Sequence, residues 1–154
     1  MDSQKGFTLI EMLVVIIIIS FLIGIVLTGT LGFQASARDT RRIGDLRNSQ
    51  NFLELYLNKC AHYPGVFDTK AECNSTVSDW SSLAAVMNAA NITSQFPKGI
   101  AGKPYYYGVN PDGFSYVIGA ELERDNSVLK DSPDATIFGV LCSRTNKVYC
   151  ITSS

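Results

Sequence analysis

Charge excess is the first thing this chain lacks. Its 154 residues hold 13 Lys plus Arg against 14 Asp plus Glu, a formal net charge of −1. No basic surplus is present of the kind that holds nucleic acid. Histidine occurs once, at His62, and no phosphate-binding glycine loop or metal motif is present, so little supports an enzyme. Cys60, Cys73, Cys142 and Cys150 contain no close Cys-x2–4-Cys pair, which structural zinc sites usually have. Proline is absent from the apolar N-terminal stretch, where Gly24, Gly29 and Gly32 occur instead.

Charge is also absent locally. Residues 1–34 hold only Asp2, Lys5 and Glu11, and nothing charged lies between Glu11 and Arg38. The 26 residues between them span about 39 Å as a helix at ~1.5 Å per residue. A bilayer core needs about 20 apolar residues, so the length predicts a membrane-crossing helix. A core helix of a soluble protein would need apolar partners all round, and the rest of the chain is too small and polar to supply them. A removable secretory signal competes, with Ala35-Ser36-Ala37 as the small-residue cut site. However, the apolar run far exceeds a signal core of 7–15 residues.

Glu11 stands out against this background. A carboxylate near the centre of a membrane helix costs roughly 2.5–3.5 kcal/mol and usually marks function. Cutting the chain after Gly6 would give Phe7 a free amine four residues before Glu11. The plainer reading is a structural acid close to Thr8.

The stretch KGFTLIEMLVV, from Lys5 to Val15, resembles the cleavage and assembly motif of type IV pilins and type II secretion pseudopilins. The resemblance implies a leader 1–6, cut between Gly6 and Phe7 by a prepilin peptidase that then methylates Phe7. It implies that Glu11 pairs with the N-terminal amine of a neighbouring subunit, as opposite charges attract strongly in low dielectric. The implied partners are further copies in a helical filament, other pilins, an inner-membrane assembly platform and the membrane, with no nucleic acid. The precursor would be a single-pass membrane protein with a cytoplasmic N-terminus, and the assembled filament periplasmic or at the cell surface. Many relatives carry a proline in the stem. Here any melted stretch is expected around Gly24–Gly32, since glycine costs about 1 kcal/mol against alanine in a helix.

Beyond the stem (7–33), an amphipathic segment (34–60) continues the helix. Ile43, Leu46, Leu53 and Leu57 follow helical spacing, Gln50 interrupts, and Phe52 and Tyr56 widen the stripe. Asp39 and Arg42 lie three apart, close enough to pair for a few tenths of a kcal/mol. Arg38, Arg41, Arg42 and Arg47 oppose the implied orientation, because basic residues favour the cytoplasmic side; the cysteines argue the other way.

The head (61–154) predicts a short helix in SDWSSLAAVMNAANI, capped by Ser78 or Asp79. A hairpin joins Tyr105–Val109 to Phe114–Gly119 through Asn110-Pro111-Asp112-Gly113. A second joins Thr136–Cys142 to Val148–Ile151. The class is α+β, a long helix on an antiparallel sheet of about four strands, which agrees with the pilin fold. The four cysteines allow three pairings. Cys142 and Cys150 fall opposite each other if the loop is Thr145-Asn146-Lys147, and Cys60–Cys73 would then close the loop after the long helix. No cofactor is required. The loop 121–134 nevertheless offers Asp125, Asn126, Ser127, Asp131 and Asp134 as oxygen ligands of the kind calcium prefers, and its position resembles the calcium loop of secretion pseudopilins. Tyr105, Tyr106 and Tyr107 could stack bases, but alternate tyrosines on a strand more often pack on a core. A secreted ligand-binding domain released after Ala37 is the reading from a different class.

Overall fold

The structure is a computed structural model that describes residues 6–77 and 79–153, with the side chains of 26–31 left out. Residues 1–5 of the expected leader 1–6 and the expected cap Ser78 lie outside the described residues. The chain divides into two compact units, Met1–Ala35 and Ser36–Ser154.

The first unit contains the start of helix α1 (Leu9–Cys60). From Leu9 to Ile25 its large apolar side chains are all exposed. Among the described residues no helix is long and apolar enough to cross a membrane. The expected span over 7–33 is therefore not found: the described apolar run stops at Ile25, where the undescribed side chains begin. The helix is continuous past Gly24, Gly29 and Gly32, so in this single chain no melted stretch interrupts it.

In the second unit α1 buries one face. Asp39, Arg42, Leu46, Ser49, Leu53, Tyr56 and Cys60 recur at steps of three and four, and all are buried. That is one stripe of a 3.6-residue helix. Ser49, not Gln50, occupies its middle; the Ser49 hydroxyl donates to the Asp45 carbonyl at 2.8 Å, so no polar group is stranded there. Ile43, Phe52 and Leu57 flank the stripe half-buried.

Helix α2 (Trp80–Ala89) begins at Asp79, whose carboxylate accepts from Ser82 N at 2.7 Å while Ser82 Oγ accepts from Asp79 N. This reciprocal arrangement satisfies two otherwise orphaned amides, and it pulls the Asp79 carboxyl below the usual carboxylate range. α2 buries Trp80, Leu83 and Met87.

Strands β1 (Tyr105–Val109), β2 (Tyr116–Glu121) and β5 (Val148–Thr152) form an antiparallel sheet in the order β1-β2-β5. Strand β2 is central and buried on both faces. Tyr116, Ile118 and Ala120 join the core that contains Leu46, Leu53 and Tyr56 of α1. Val117 packs with Val140, Cys142, Val148 and Cys150 instead. The second hairpin differs from expectation. Phe138 (φ 46°) and Gly139 (φ 82°) make a left-handed turn that splits the predicted strand into β3 (Ala135–Ile137) and β4 (Val140–Cys142), a separate two-stranded sheet. β5 pairs with β2 and is hydrogen-bonded to the residue after β4 at the Ser143–Val148 bridge. The α+β class stands, with five strands in two sheets among the described residues in place of about four in one. Cys60 is bonded to Cys73 and Cys142 to Cys150.

Candidate functional site

The first helix starts on a polar cluster of two residues. Thr8 N donates to Glu11 Oε2 at 2.8 Å and Thr8 Oγ1 donates to the same oxygen at 2.7 Å. Glu11 N donates back to Thr8 Oγ1 at 3.3 Å. Thr8 is thus the N-cap and Glu11 the third helical residue, a capping box. The carboxylate also sits at the positive end of the helix dipole. In the single chain, the apolar helix keeps its acid partly because that acid closes the helix start. Both bonds fall on Oε2, and among the described residues Oε1 has no partner.

The surroundings bear on chemistry. Gly6 and Phe7 precede the helix in exposed, non-helical backbone, the condition a protease needs to reach the bond between them. Phe7 is 85% exposed. Phe7, Ile10, Met12, Val14 and Val15 line a shallow apolar groove around Glu11. Nothing else in the described unit covers these side chains.

The remaining expected sites fall elsewhere. Among the described residues no group of three or more His, Cys, Asp or Glu is arranged to hold a metal ion. In the loop 121–134, Asn126 caps a 3₁₀ turn (Ser127–Lys130) by accepting from Val128 N. Asp134 accepts from Arg144 N at 3.3 Å, and Asp125 lies 4.0 Å from Lys147 Nζ. Ser127 opens that turn and Asp131 follows it. Cys60 is spent in a disulfide, which removes the Cys60–His62 pair as a nucleophile. Tyr105 donates its hydroxyl to Asp45 at 2.8 Å and Tyr107 donates to the Pro64 carbonyl at 2.7 Å. Burial, then the bond to Asp45, pushes the Tyr105 hydroxyl up. These two rings serve the core, whereas Tyr106 packs on the opposite face of the sheet.

One cluster went unread in the sequence. Asp39 is bonded to Arg42 at 2.7 Å, and its oxygens accept from Glu123 N and Arg124 N at 2.9 Å each. Arg42 reaches Glu123 at 2.8 Å and the Ile100 carbonyl at 3.1 Å. Arg38 grips Glu123 with two bonds of 2.8 and 2.6 Å. Arg38 first, then Arg42, hold the Glu123 carboxyl at about 2. Arg38 and Arg42 thus serve the head as structural cations.

Residues 1–27 match the model of the prokaryotic N-terminal methylation motif. The N-terminus is similar to that motif. Over 63 residues the chain is 36% identical to the type II secretion system core protein G of Escherichia coli (strain K12), a match covering 41% of this chain and 43% of that protein. The chain therefore aligns with less than half the length of that relative. No solved structure gives a significant match. The motif and this similarity support a type IV pilin or pseudopilin, and a long helix with a small antiparallel sheet is consistent with the pilin fold.

Proposed function

We propose that the chain is a structural subunit of a type IV pilus-like filament, made as a membrane-anchored precursor, cut between Gly6 and Phe7 and polymerised through its first helix. The observation that carries this reading is the bare apolar run Leu9–Ile25 that lies within a methylation motif and holds one acid, Glu11, whose Oε2 is bonded to Thr8. Exposed apolar area of this extent marks an interaction surface. Lipid covers it before assembly and the helices of other copies cover it afterwards. Removal of the leader creates the Phe7 amine, and that cation on a neighbouring copy meets Glu11 where water is excluded and the attraction is strong. The role is structural, not catalytic. Prepilin peptidase, the inner-membrane assembly platform and other pilins are the partners this reading requires.

The test is Glu11→Ala in the native host. Precursor level and membrane association should match wild type while fibres disappear; fibres in normal number refute the pairing.

The similarity to core protein G favours a second reading, a pseudopilin of a type II secretion system. Deleting the gene and assaying both exported enzymes and surface fibres separates the two, because a pseudopilin mutant loses export. The secreted-domain reading is disfavoured: Ala35-Ser36-Ala37 lies inside α1, where helical backbone is hidden from a signal peptidase.

A further inference from the structure

The segment 61–72 leaves the end of α1 and is closed by the Cys60–Cys73 disulfide. Its first residues are held from outside. Tyr63 N donates to the Gly113 carbonyl at 2.8 Å, the Tyr107 hydroxyl donates to Pro64 O at 2.7 Å, and Gly65 N donates to Ser75 Oγ at 2.9 Å. Further on, Phe67 is 78% exposed; Lys70 O accepts from Cys73 N at 3.0 Å and from Asn74 N at 2.8 Å, and further polar ties of this stretch run to Asp68. Asp68 Oδ1 accepts from Lys70 N at 2.8 Å, and Asp68 N reaches Asn74 Oδ1 only at 3.5 Å. Asp68 Oδ2 lies 3.0 Å from His62 Nε2.

The other ring nitrogen decides the protonation state. His62 Nδ1 lies 2.9 Å from the Tyr63 carbonyl oxygen. A carbonyl oxygen and an ionised carboxylate can only accept, so each ring nitrogen must carry a proton to bond its neighbour. A neutral imidazole has a single N–H. It would leave a lone pair facing either Asp68 or Tyr63. Only the imidazolium satisfies both contacts.

The other groups around the ring do not substitute for it. Tyr56 stands edge-on with centroids 6.0 Å apart, its hydroxyl donated to the Cys73 carbonyl. Asp112 belongs to the turn whose Gly113 backs onto His62 Cβ, and it is occupied by Asn110 Nδ2 and Phe114 N, each at 2.9 Å. Glu54 accepts the Tyr63 hydroxyl at 3.0 Å. Lys59 and Glu72 pair with each other at 2.9 Å, and Lys70 contributes its backbone amide.

We propose that His62 and Asp68 form a pH-responsive latch, closed only while His62 is protonated and Asp68 ionised, that fixes the loop displaying Phe67. The bonds from Lys70 N and then His62 hold the Asp68 carboxyl below the usual carboxylate range, so the low-pH limit of the closed state is set below that range. Loss of the Nε2 proton removes the bond to Asp68, so the loop loosens when the ring becomes neutral. This inference rests on the head alone and does not depend on filament assembly.

The test uses the full-length chain in detergent micelles. NMR follows the ring nitrogens of the single histidine, and hydrogen exchange follows the amides of residues 66–74. Both nitrogens should be protonated where the loop is protected. Protection should fall on the order of tenfold as Nε2 loses its proton, the scale of one charge-assisted hydrogen bond. In Asp68→Asn the new amide can donate to a neutral Nε2, so loop protection should no longer follow pH. A neutral ring throughout the protected range overturns the proposal, as does equal pH dependence in wild type and Asp68→Asn. If the variant does not fold, the wild-type comparison decides alone, since ring and loop either titrate together or do not.

Discussion

Asp39 and Arg42, three residues apart on α1, form a 2.7 Å ion pair with both side chains sealed from solvent. The pair faces inward because the backbone amides of Glu123 and Arg124 meet the same carboxylate. One helix side chain therefore caps the loop that leaves β2. Arg42 Nε is buried without a partner among the described residues, so the site tolerates one unsatisfied donor to keep the others bonded.

Removing Asp39 leaves Arg42 with Glu123 as its remaining anion, so the loss falls at about 1–3 kcal/mol, the cost of leaving a part-buried donor unsatisfied. Asp39→Ala should lower head stability on that scale, since it also frees the Glu123 and Arg124 amides. Chemical denaturation of the full chain in detergent, followed by tryptophan fluorescence of Trp80, measures it. A loss below 1 kcal/mol would mean the pair is solvated.

Glu123 carries the pH prediction. Its carboxyl is pulled down to about 2 by Arg38 and Arg42, against about 4.3 in an unfolded chain. A carboxyl depressed by folding stabilises above its unfolded value, and that contribution is lost as pH falls towards 2. Melting temperature should decline between pH 4.5 and 2, and Glu123→Gln should start lower and decline less. Parallel curves for the two proteins would contradict the assignment.

Gly108 is a packing prediction. A Cβ there would lie 2.3 Å from the Phe138 carbonyl oxygen and 3.1 Å from Val117 Cγ1. Gly108→Ala must push the β3–β4 turn off the main sheet, at about 1–3 kcal/mol for overpacking. Thermal unfolding should report that loss, whereas Gly44→Ala on α1, with open space around it, should be neutral or slightly stabilising.

The Cys142–Cys150 bond joins β4 to β5, which belong to different sheets. Replacing both with serine should cost about 2–4 kcal/mol. Exchange of β3 and β4 amides should rise more than that of β1. Uniform loss across the head would show that the bond acts only on the unfolded chain.

Much of this architecture was legible because it rests on local signals. The long helix follows from uninterrupted helical spacing, the first hairpin from its Asn-Pro-Asp-Gly turn, and α2 from Asp79 ahead of an apolar run. The β3–β4 split was hidden because Phe138, not a glycine, takes the first left-handed position, and β-rich runs carry no mark of which strand they pair with. The Asp39–Arg42–Glu123 cluster was hidden for a related reason. A charged pair three apart reads as surface until a loop some 80 residues on covers it, yet the spacing 39, 42, 46, 49, 53, 56, 60 does carry the buried stripe. The Thr8–Glu11 cap was readable as Thr-x-x-Glu, but the rarity of an acid in an apolar helix drew the reading towards assembly first.

On the proposed function, Glu11 awaits a positive chain end that exists only after processing. Intact mass and N-terminal sequencing of fibres from the native host test this most directly. The prediction is a chain beginning at N-methylated Phe7. Fibres whose subunits retain Met1 through Gly6, or a mature protein that begins at Arg38, would contradict it.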